Sequence, residues 1–225
     1  MEAGGLEQRR GGERQGGVAG RAARRVLDLT VAIAMIALTF PIMLAVAIAI
    51  RIESGGPAIF RQRRVGLDGR KFTLLKFRSM RADADPETHR EYVAALIGNS
   101  SPSTQRGGLY KLAVDERITS VGRVIRKWSI DELPQLFNVI AGDMTLVGPR
   151  PVTPYEAAEY PGWYRRRFAV KPGLTGLWQV SGRSERTYEE MITLDIEYVD
   201  ERSALTDLVI LARTPWVVLS RRGVR

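Results

Sequence analysis

An almost unbroken apolar run, Leu29 to Ile50, constrains this chain more than any other stretch. At roughly 22 residues it is long enough to cross the hydrocarbon of a bilayer as a helix. A secretory signal would have a shorter apolar centre and a small-residue cleavage site. Here the run ends at Arg51, so the segment is expected to stay in the membrane. Whether it crosses is a separate matter. Arg21, Arg24 and Arg25 precede it, Arg51, Arg61, Arg63 and Arg64 follow it, and cationic flanks stay on the cytoplasmic side. Pro41 lies inside the run, where it deletes a backbone hydrogen bond and kinks a helix. About 22 Å of helix could precede it and about 15 Å follow it. A kinked helix that enters and leaves by one face accounts for both features; a proline-kinked single-pass anchor is the alternative.

The rest of the composition narrows the chemistry. A formal net charge of +9 over 225 residues points to an anionic partner: nucleic acid, a phosphorylated substrate or lipid headgroups. With no cysteine there is no thiol chemistry, and the single histidine, His89, cannot build a Ser-His-Asp triad or a multi-histidine zinc site. Catalysis would have to rest on carboxylates, lysine, arginine and a hard metal ion. Residues 1–20 are Gly- and Arg-rich and read as a disordered tail.

Taken in order, Ala58–Val65 and Lys71–Arg78 flank an Asp68-Gly69 bend, a hairpin signal, and the two-residue period puts Lys76 and Arg78 on one face. Pro86–Ile97 predicts a short helix, and the segment 98–108 predicts a loop that is either a lid or an insertion. Ile118–Lys127 predicts a basic helix. Trp163 and Tyr164 beside Arg165, Arg166 and Arg167 suit a bilayer interface or a nucleic-acid surface. Lys171-Pro172-Gly173 and Gly176 mark a rigid turn, and Trp178–Arg183 reads as a short strand or loop. Tyr188–Val199 predicts a helix with Asp195 as its polar interruption. Leu205, Leu208, Val209, Ala212, Trp216 and Leu219 recur at helical spacing, as in a helix lying on a membrane or packing on a core.

The chemistry concentrates in Trp128–Pro151. Leu133, Leu136, Phe137 and Ile140 form the stripe of a short helix that Gly142 ends. Pro134 fits the first turn if Asp131 is the N-cap; Ser129 as N-cap, with Glu132 completing a capping box, places Pro134 one position too deep. Either start leaves Asp131 near a helix N-terminus that favours an ionised carboxylate, as a nucleophile or magnesium ligand must be. Asp131 and Glu132 acting as caps alone is the plainer reading. Pro149 and Pro151 stiffen Arg150, which then loses little entropy on gripping a phosphate. No Walker loop or GxGxxG accompanies it.

The run DELPQLFNVIAGDMTLVGPRP, with upstream KFRSM and downstream KPGLTGLWQVSGR, resembles the bacterial monotopic phosphoglycosyl transferases, the undecaprenyl-phosphate sugar phosphotransferases, over about residues 22–223. The resemblance implies transfer of a sugar 1-phosphate from a UDP-sugar to polyprenyl phosphate with release of UMP, as the first membrane step of exopolysaccharide, capsule or glycoconjugate synthesis. It implies a ping-pong route in which Asp131 attacks the β-phosphate and Glu132 assists, with Mg²⁺ required near Asp131. Lys76, Arg126 and Arg150 match basic positions near the diphosphate; Arg78, Asp143, Arg183, Asp195 and Asp207 are further candidate positions. The expected fold is α+β and mostly helical: a re-entrant membrane helix at 21–51, a small hairpin, and interfacial helices around a compact catalytic domain at 52–225, on the cytoplasmic face of the bacterial inner membrane. The family breaks its membrane helix at a Ser-Pro pair; here the pair is Phe40-Pro41, with Thr39 able to bond the backbone nearby. Longer members carry added spans before this module, so this chain is expected to be the minimal form. The GLWQVSGR wording is closer to members handling glucose or galactose. Downstream glycosyltransferases are possible partners and nucleic acid is not expected. The rival is a membrane-anchored basic module that binds nucleic acid or acidic lipid without catalysis.

Overall fold

The computed structural model describes residues 17–81, 117–182 and 186–220. The expected helix at Pro86–Ile97, the 98–108 loop, His89, Arg183 and most of the N-terminal tail lie outside the described residues. Arg81 and Arg117, which bracket the longest such stretch, are joined by a backbone hydrogen bond of 2.8 Å, and Met80 bridges to Ile118.

The first helix, α1 (Val18–Ser54), takes in the whole apolar run and Pro41. It starts three residues before the expected boundary and ends three after it. Arg24 and Arg25, both inside the expected bounds, have partners on the folded body, and Gly55 closes the helix in the left-handed conformation (φ 65°). Pro41 leaves a carbonyl one turn back without its amide. One residue before Phe40, the Thr39 hydroxyl donates to the Met35 carbonyl at 2.6 Å, the local bond expected where the family has a serine. Only a narrow stripe of α1 is covered: Ala32, Met43 and Ile50 are buried, whereas Leu38 is 75% and Ile52 81% exposed.

Strands β1 (Ile59–Val65) and β2 (Lys71–Phe77) form the expected antiparallel hairpin, and Asp68 (φ 53°) and Gly69 (φ 76°) turn its bend. Helix α2 (Ser120–Lys127) is capped by the Thr119 hydroxyl. Gly122 is obligatory there, since a Cβ would lie 2.1 Å from the Ser79 carbonyl. Helix α3 (Gln135–Ala141) ends, as expected, at Gly142 in the left-handed region. Its buried side is Leu136, Val139 and the polar Gln135 and Asn138, while Phe137 is 43% exposed. The expected stripe was thus rotated, because Asn138 is drawn inwards: its amide accepts from Leu75 N–H (2.9 Å) and donates to the Thr73 carbonyl (2.8 Å), pairing with the β2 backbone as a strand would.

The second sheet was not legible beforehand. Strand β3 (Thr145–Val147) runs parallel to β4 (Gly173–Thr175), where only a rigid turn was expected. The backbones meet so closely that a Cβ on Gly173 would lie 2.0 Å from Gly148 N. Short helices α4 (Pro154–Ala158) and α5 (Leu177–Val180) follow β3 and β4; the second replaces the strand or loop expected at Trp178–Arg183. Helix α6 (Tyr188–Glu201) carries a full capping box. Helix α7 (Ala204–Ser220) turns Asp207 and Ile210 inwards and leaves Leu205 and Trp216 more than 70% exposed, so its apolar stripe faces out and is not a core-packing face.

Three apolar clusters hold these elements together. Ala32 of α1 packs among Phe72, Leu74, Leu136, Val139, Leu146 and Ile210. Met43 and Ile50 pack on Phe77 and Ile125. A third cluster gathers Val65, Trp178, Met191 and Ile192 around Tyr160, Tyr164 and Tyr188. Each such side chain contributes about 1.5–3 kcal/mol when fully buried.

Candidate active site

Asp131 does not cap α3. It sits in a separate 3-10 turn, Ile130–Glu132, whose preceding residue Ser129 is left-handed (φ 55°), and Pro134 stands at the N-cap of α3. Ser129 turns the chain out of α2; its N–H donates to the Arg126 carbonyl and its own carbonyl accepts from Glu132 N–H. A non-glycine residue in that conformation costs on the order of 1–2 kcal/mol, and such strain is stored where geometry matters. Burial and the neighbouring charges, with no backbone hydrogen bond among them, are the causes that set the Asp131 carboxyl.

Its electrostatics also differ from the sequence expectation. Burial and the adjacent Glu132 charge push the Asp131 pKa up to about 6, against the pull of Lys76, Arg126 and Arg150. Helix-terminus stabilisation, on which the expected ionisation rested, does not govern this group; desolvation does. Lys76 responds in reverse: burial brings it down to about 8, with Asp131 opposing the fall and Arg64 and Arg150 adding to it. Three of the expected cations therefore surround the expected carboxylate pair, each from a different element: Lys76 from β2, Arg126 from α2, Arg150 from the loop after β3.

Arg150 is the best supported of them. Its Nη2 donates to Glu132 Oε1 at 2.9 Å. The loop that carries it is pinned at four consecutive carbonyls: Pro149 by Gly173 N–H (2.9 Å), Arg150 by Arg167 (2.8 Å), Pro151 by Arg64 (3.0 Å) and Val152 by Val65 N–H (2.8 Å). Two prolines remove the donors and protein groups satisfy the acceptors, so the backbone is fixed while the guanidinium reaches the dyad.

Other expected positions lie apart. Asp143 is exposed beyond the C-terminal end of α3, away from the turn at its start. Arg78 packs against Gly56 after α1. Asp207, raised by burial, pairs with Arg24 (3.1 Å) and accepts from Tyr198 (2.7 Å), tying α7 to α1. Asp195 is buried in α6 and ion-paired with Arg167; burial pushes it up to about 6 while Arg167 opposes.

Sequence reading missed the supports. Arg167 was one of three arginines assigned to a surface cluster, yet it is buried, donating to Tyr160, Asp195 and the Arg150 carbonyl. Both ends of α1 brace the site. Arg25 donates to the Val139 and Ile140 carbonyls at the end of α3 (both 2.7 Å), and Glu53 accepts from the Ser120 and Val121 amides at the start of α2 (2.7 and 3.0 Å). Opposite charges thus complement opposite helix ends, and the Asp131 turn lies between the two helices so held.

Among the described residues no group of three or more His, Cys, Asp or Glu could cage a metal. The dyad still fits Mg²⁺, which is often held by one or two carboxylates with water and substrate phosphates filling its octahedron; a cation there would also relieve the repulsion that raises Asp131.

The chain matches the bacterial sugar transferase family over residues 19–221. It is 44% identical over 204 residues to the galactosyl transferase CpsE of Streptococcus agalactiae, covering 90% of this chain and 43% of that protein. It is 42% identical over 200 residues to the UDP-glucose:undecaprenyl-phosphate glucose-1-phosphate transferase of Caulobacter vibrioides, covering 85% of this chain and 67% of that one. To the exopolysaccharide production protein ExoY of Sinorhizobium fredii it is 41% identical over 204 residues, 90% and 88% of the two chains. The chain spans about two fifths of the length of the streptococcal relative.

Proposed function

The chain belongs to the bacterial sugar transferase family, and from that premise we propose that it transfers a sugar 1-phosphate from a UDP-sugar to undecaprenyl phosphate, releasing UMP. Relatives named for galactose and glucose transfer make those sugars the first to test. The observation that carries the reading is the buried Asp131 on a turn whose Ser129 is left-handed, its charge felt by Lys76, Arg126 and Arg150.

In the proposed first step an Asp131 oxygen bonds to the β-phosphorus as the bond from that phosphorus to the bridging oxygen breaks. UMP leaves with the bridging oxygen. In the second, an oxygen of polyprenyl phosphate attacks the same phosphorus and Asp131 departs. Glu132, ion-paired with Arg150, takes the acceptor's proton in this scheme. Arg150, Arg126 and Lys76 neutralise charge on the diphosphate while a carboxylate approaches it. Mg²⁺, with Asp131 as its protein ligand, would supply further charge neutralisation on the phosphates.

The proposed setting is the cytoplasmic face of the inner membrane, with α1 re-entrant. Its outward apolar side and that of α7 call for a bilayer. Arg25 near one end bonds α3 and Glu53 at the other bonds the adjoining α2, which supports one side for both ends. Cysteines at positions 20 and 55 should then label from the same side; labelling from opposite sides would make α1 a spanning helix.

The purified protein with UDP-galactose or UDP-glucose, Mg²⁺ and undecaprenyl phosphate should release UMP. Radiolabelled phosphosugar should be trapped on the protein before lipid is added. Label transfer only when lipid is present would replace the covalent route with direct displacement.

A further inference from the structure

Where the N-terminal part of α1 meets the start of α7 lies a charged cluster that the proposed transfer does not use. Arg24 donates from Nε to Asp207 Oδ2 (3.1 Å) and Tyr198 donates to Asp207 Oδ1 (2.7 Å), so both oxygens of that carboxylate are taken. Asp28 accepts from Leu146 N–H at 3.0 Å. Arg202, the C-cap of α6, stands beside this group. It is half-buried, and its Nε is enclosed and bonds nothing among the described residues. Burial, and after it the Arg24 charge, bring the Arg202 pKa down against the pull of Tyr198, Asp207 and Asp28. A guanidinium partly withdrawn from water with an unbonded N–H is costly unless an anion completes it. Arg24 is open to the same anion, since a quarter of its side chain is exposed.

The surroundings select the occupant. Arg24, Arg25 and Arg202 act on only two carboxylates, Asp28 and Asp207, which leaves an excess of positive charge. Val26, just beyond Arg24 on α1, and Leu205, just beyond Arg202 on α7, are both exposed. With the outward sides of α1 and α7 in a bilayer, the cluster lies where headgroups meet acyl chains. A free phosphate has no use for that apolar border. A zwitterionic phospholipid would bring a further cation to a site already crowded with them. An acidic phospholipid supplies a phosphate without that cation, and its chains match the border.

We propose that the junction of α1 and α7 binds one acidic phospholipid, its phosphate diester bridged between the Arg24 and Arg202 guanidiniums and its acyl chains lying along Val26 and Leu205. The test is native mass spectrometry of the full-length protein released from nanodiscs that hold phosphatidylglycerol and phosphatidylcholine in equal amounts. One phosphatidylglycerol should stay on the unsubstituted protein in preference to phosphatidylcholine. Arg202→Gln should lower its retention by about 10- to 100-fold, the range for a hydrogen bond between charged groups. Arg51→Gln removes the same charge from the other end of α1 and should leave retention unchanged. Equal retention of the two lipids by the unsubstituted protein would overturn the proposal, and that comparison does not depend on any variant folding. Equal loss from both variants would also overturn it, as the mark of a general attraction between cations and an anionic surface, and so would full retention by Arg202→Gln. Displacement of the lipid by an equal concentration of inorganic phosphate would replace it with a simple anion site, and displacement by undecaprenyl phosphate with a site for the acceptor. UMP release is not among these readouts, so the lipid site and the transfer reaction stand or fall separately.

Discussion

Replacing Asp131 by Asn should abolish transfer and at the same time make the protein more stable, with a pH signature that identifies the cause. The carboxyl is 8% exposed, and its pKa rises from 3.8 to about 6 even though Lys76, Arg126 and Arg150 all pull it down. The three cations are already included in that balance, so the net effect of the charge on folding is unfavourable. The folded protein holds the Asp131 proton more tightly than the unfolded chain, so stability falls as pH rises between about 4 and 6 and stays lower above. A rise of roughly two pKa units corresponds to about 3 kcal/mol. Asn keeps the shape and never ionises, so the variant escapes this loss. Lys76, near 8 in the parent and deprived of one carboxylate, can shed its proton and relieve the leftover repulsion. Thermal unfolding followed by tryptophan fluorescence in nanodiscs should place the variant roughly 6–12 °C above the parent at pH 7.5. The two curves should converge as pH approaches 4. A variant no more stable than the parent at pH 7.5, or a gap that does not change with pH, would refute the claim that desolvation dominates at Asp131.

Three further outcomes follow from the same geometry. The rate of the first UMP burst should rise as Asp131 ionises, below about pH 6 once Mg²⁺ draws the proton off, and fall as Lys76 loses its charge, above about pH 8 once the diphosphate holds that charge, giving a bell in stopped-flow measurements. Gly173→Ala must drive a methyl into Gly148 N at 2.0 Å; it should part β3 from β4, lower the thermal midpoint sharply and remove activity through displacement of Arg150, read by calorimetry alongside the UMP assay. Arg25→Ala loses two hydrogen bonds to the end of α3, which should cost about 1–3 kcal/mol by denaturant titration and slow UMP release without altering the pH at which it rises.

Where the determinants are local, the sequence was readable. Asp68-Gly69 turns the hairpin because both residues tolerate positive φ, α6 carries its capping box in Thr187 and Glu190, and Gly142 ends α3. The grouping of Lys76, Arg126 and Arg150 around Asp131 was anticipated by motif resemblance and not by spacing. What escaped was set by contacts distant in the chain. Strands of three residues carry no periodicity, so β3 and β4 are visible only through the Gly148–Gly173 approach. Arg165, Arg166 and Arg167 look alike in sequence, yet Arg166 pairs with Asp200 at the surface while Arg167 is buried beneath the Arg150 loop. Asp131 was misread because a helix start is written in neighbouring residues, whereas burial is decided by β2, α2 and α3 closing over it.

The bracing of α2 and α3 by the two ends of α1 bears on how such a protein can be handled. By its apolar sequence alone, α1 could pass for a tether exchangeable for a solubility tag. Here its removal would strip the Arg25 bonds from the last carbonyls of α3, the Glu53 bonds from the first amides of α2, the Asp28 bond to Leu146 N–H and the Ala32 contact in the core. The Asp131 turn has no foundation of its own: it hangs between two short helices that are fastened to a third. Because Arg25 and Glu53 fasten α3 and α2 to the two ends of α1, the spacing of those two helices depends on α1 itself.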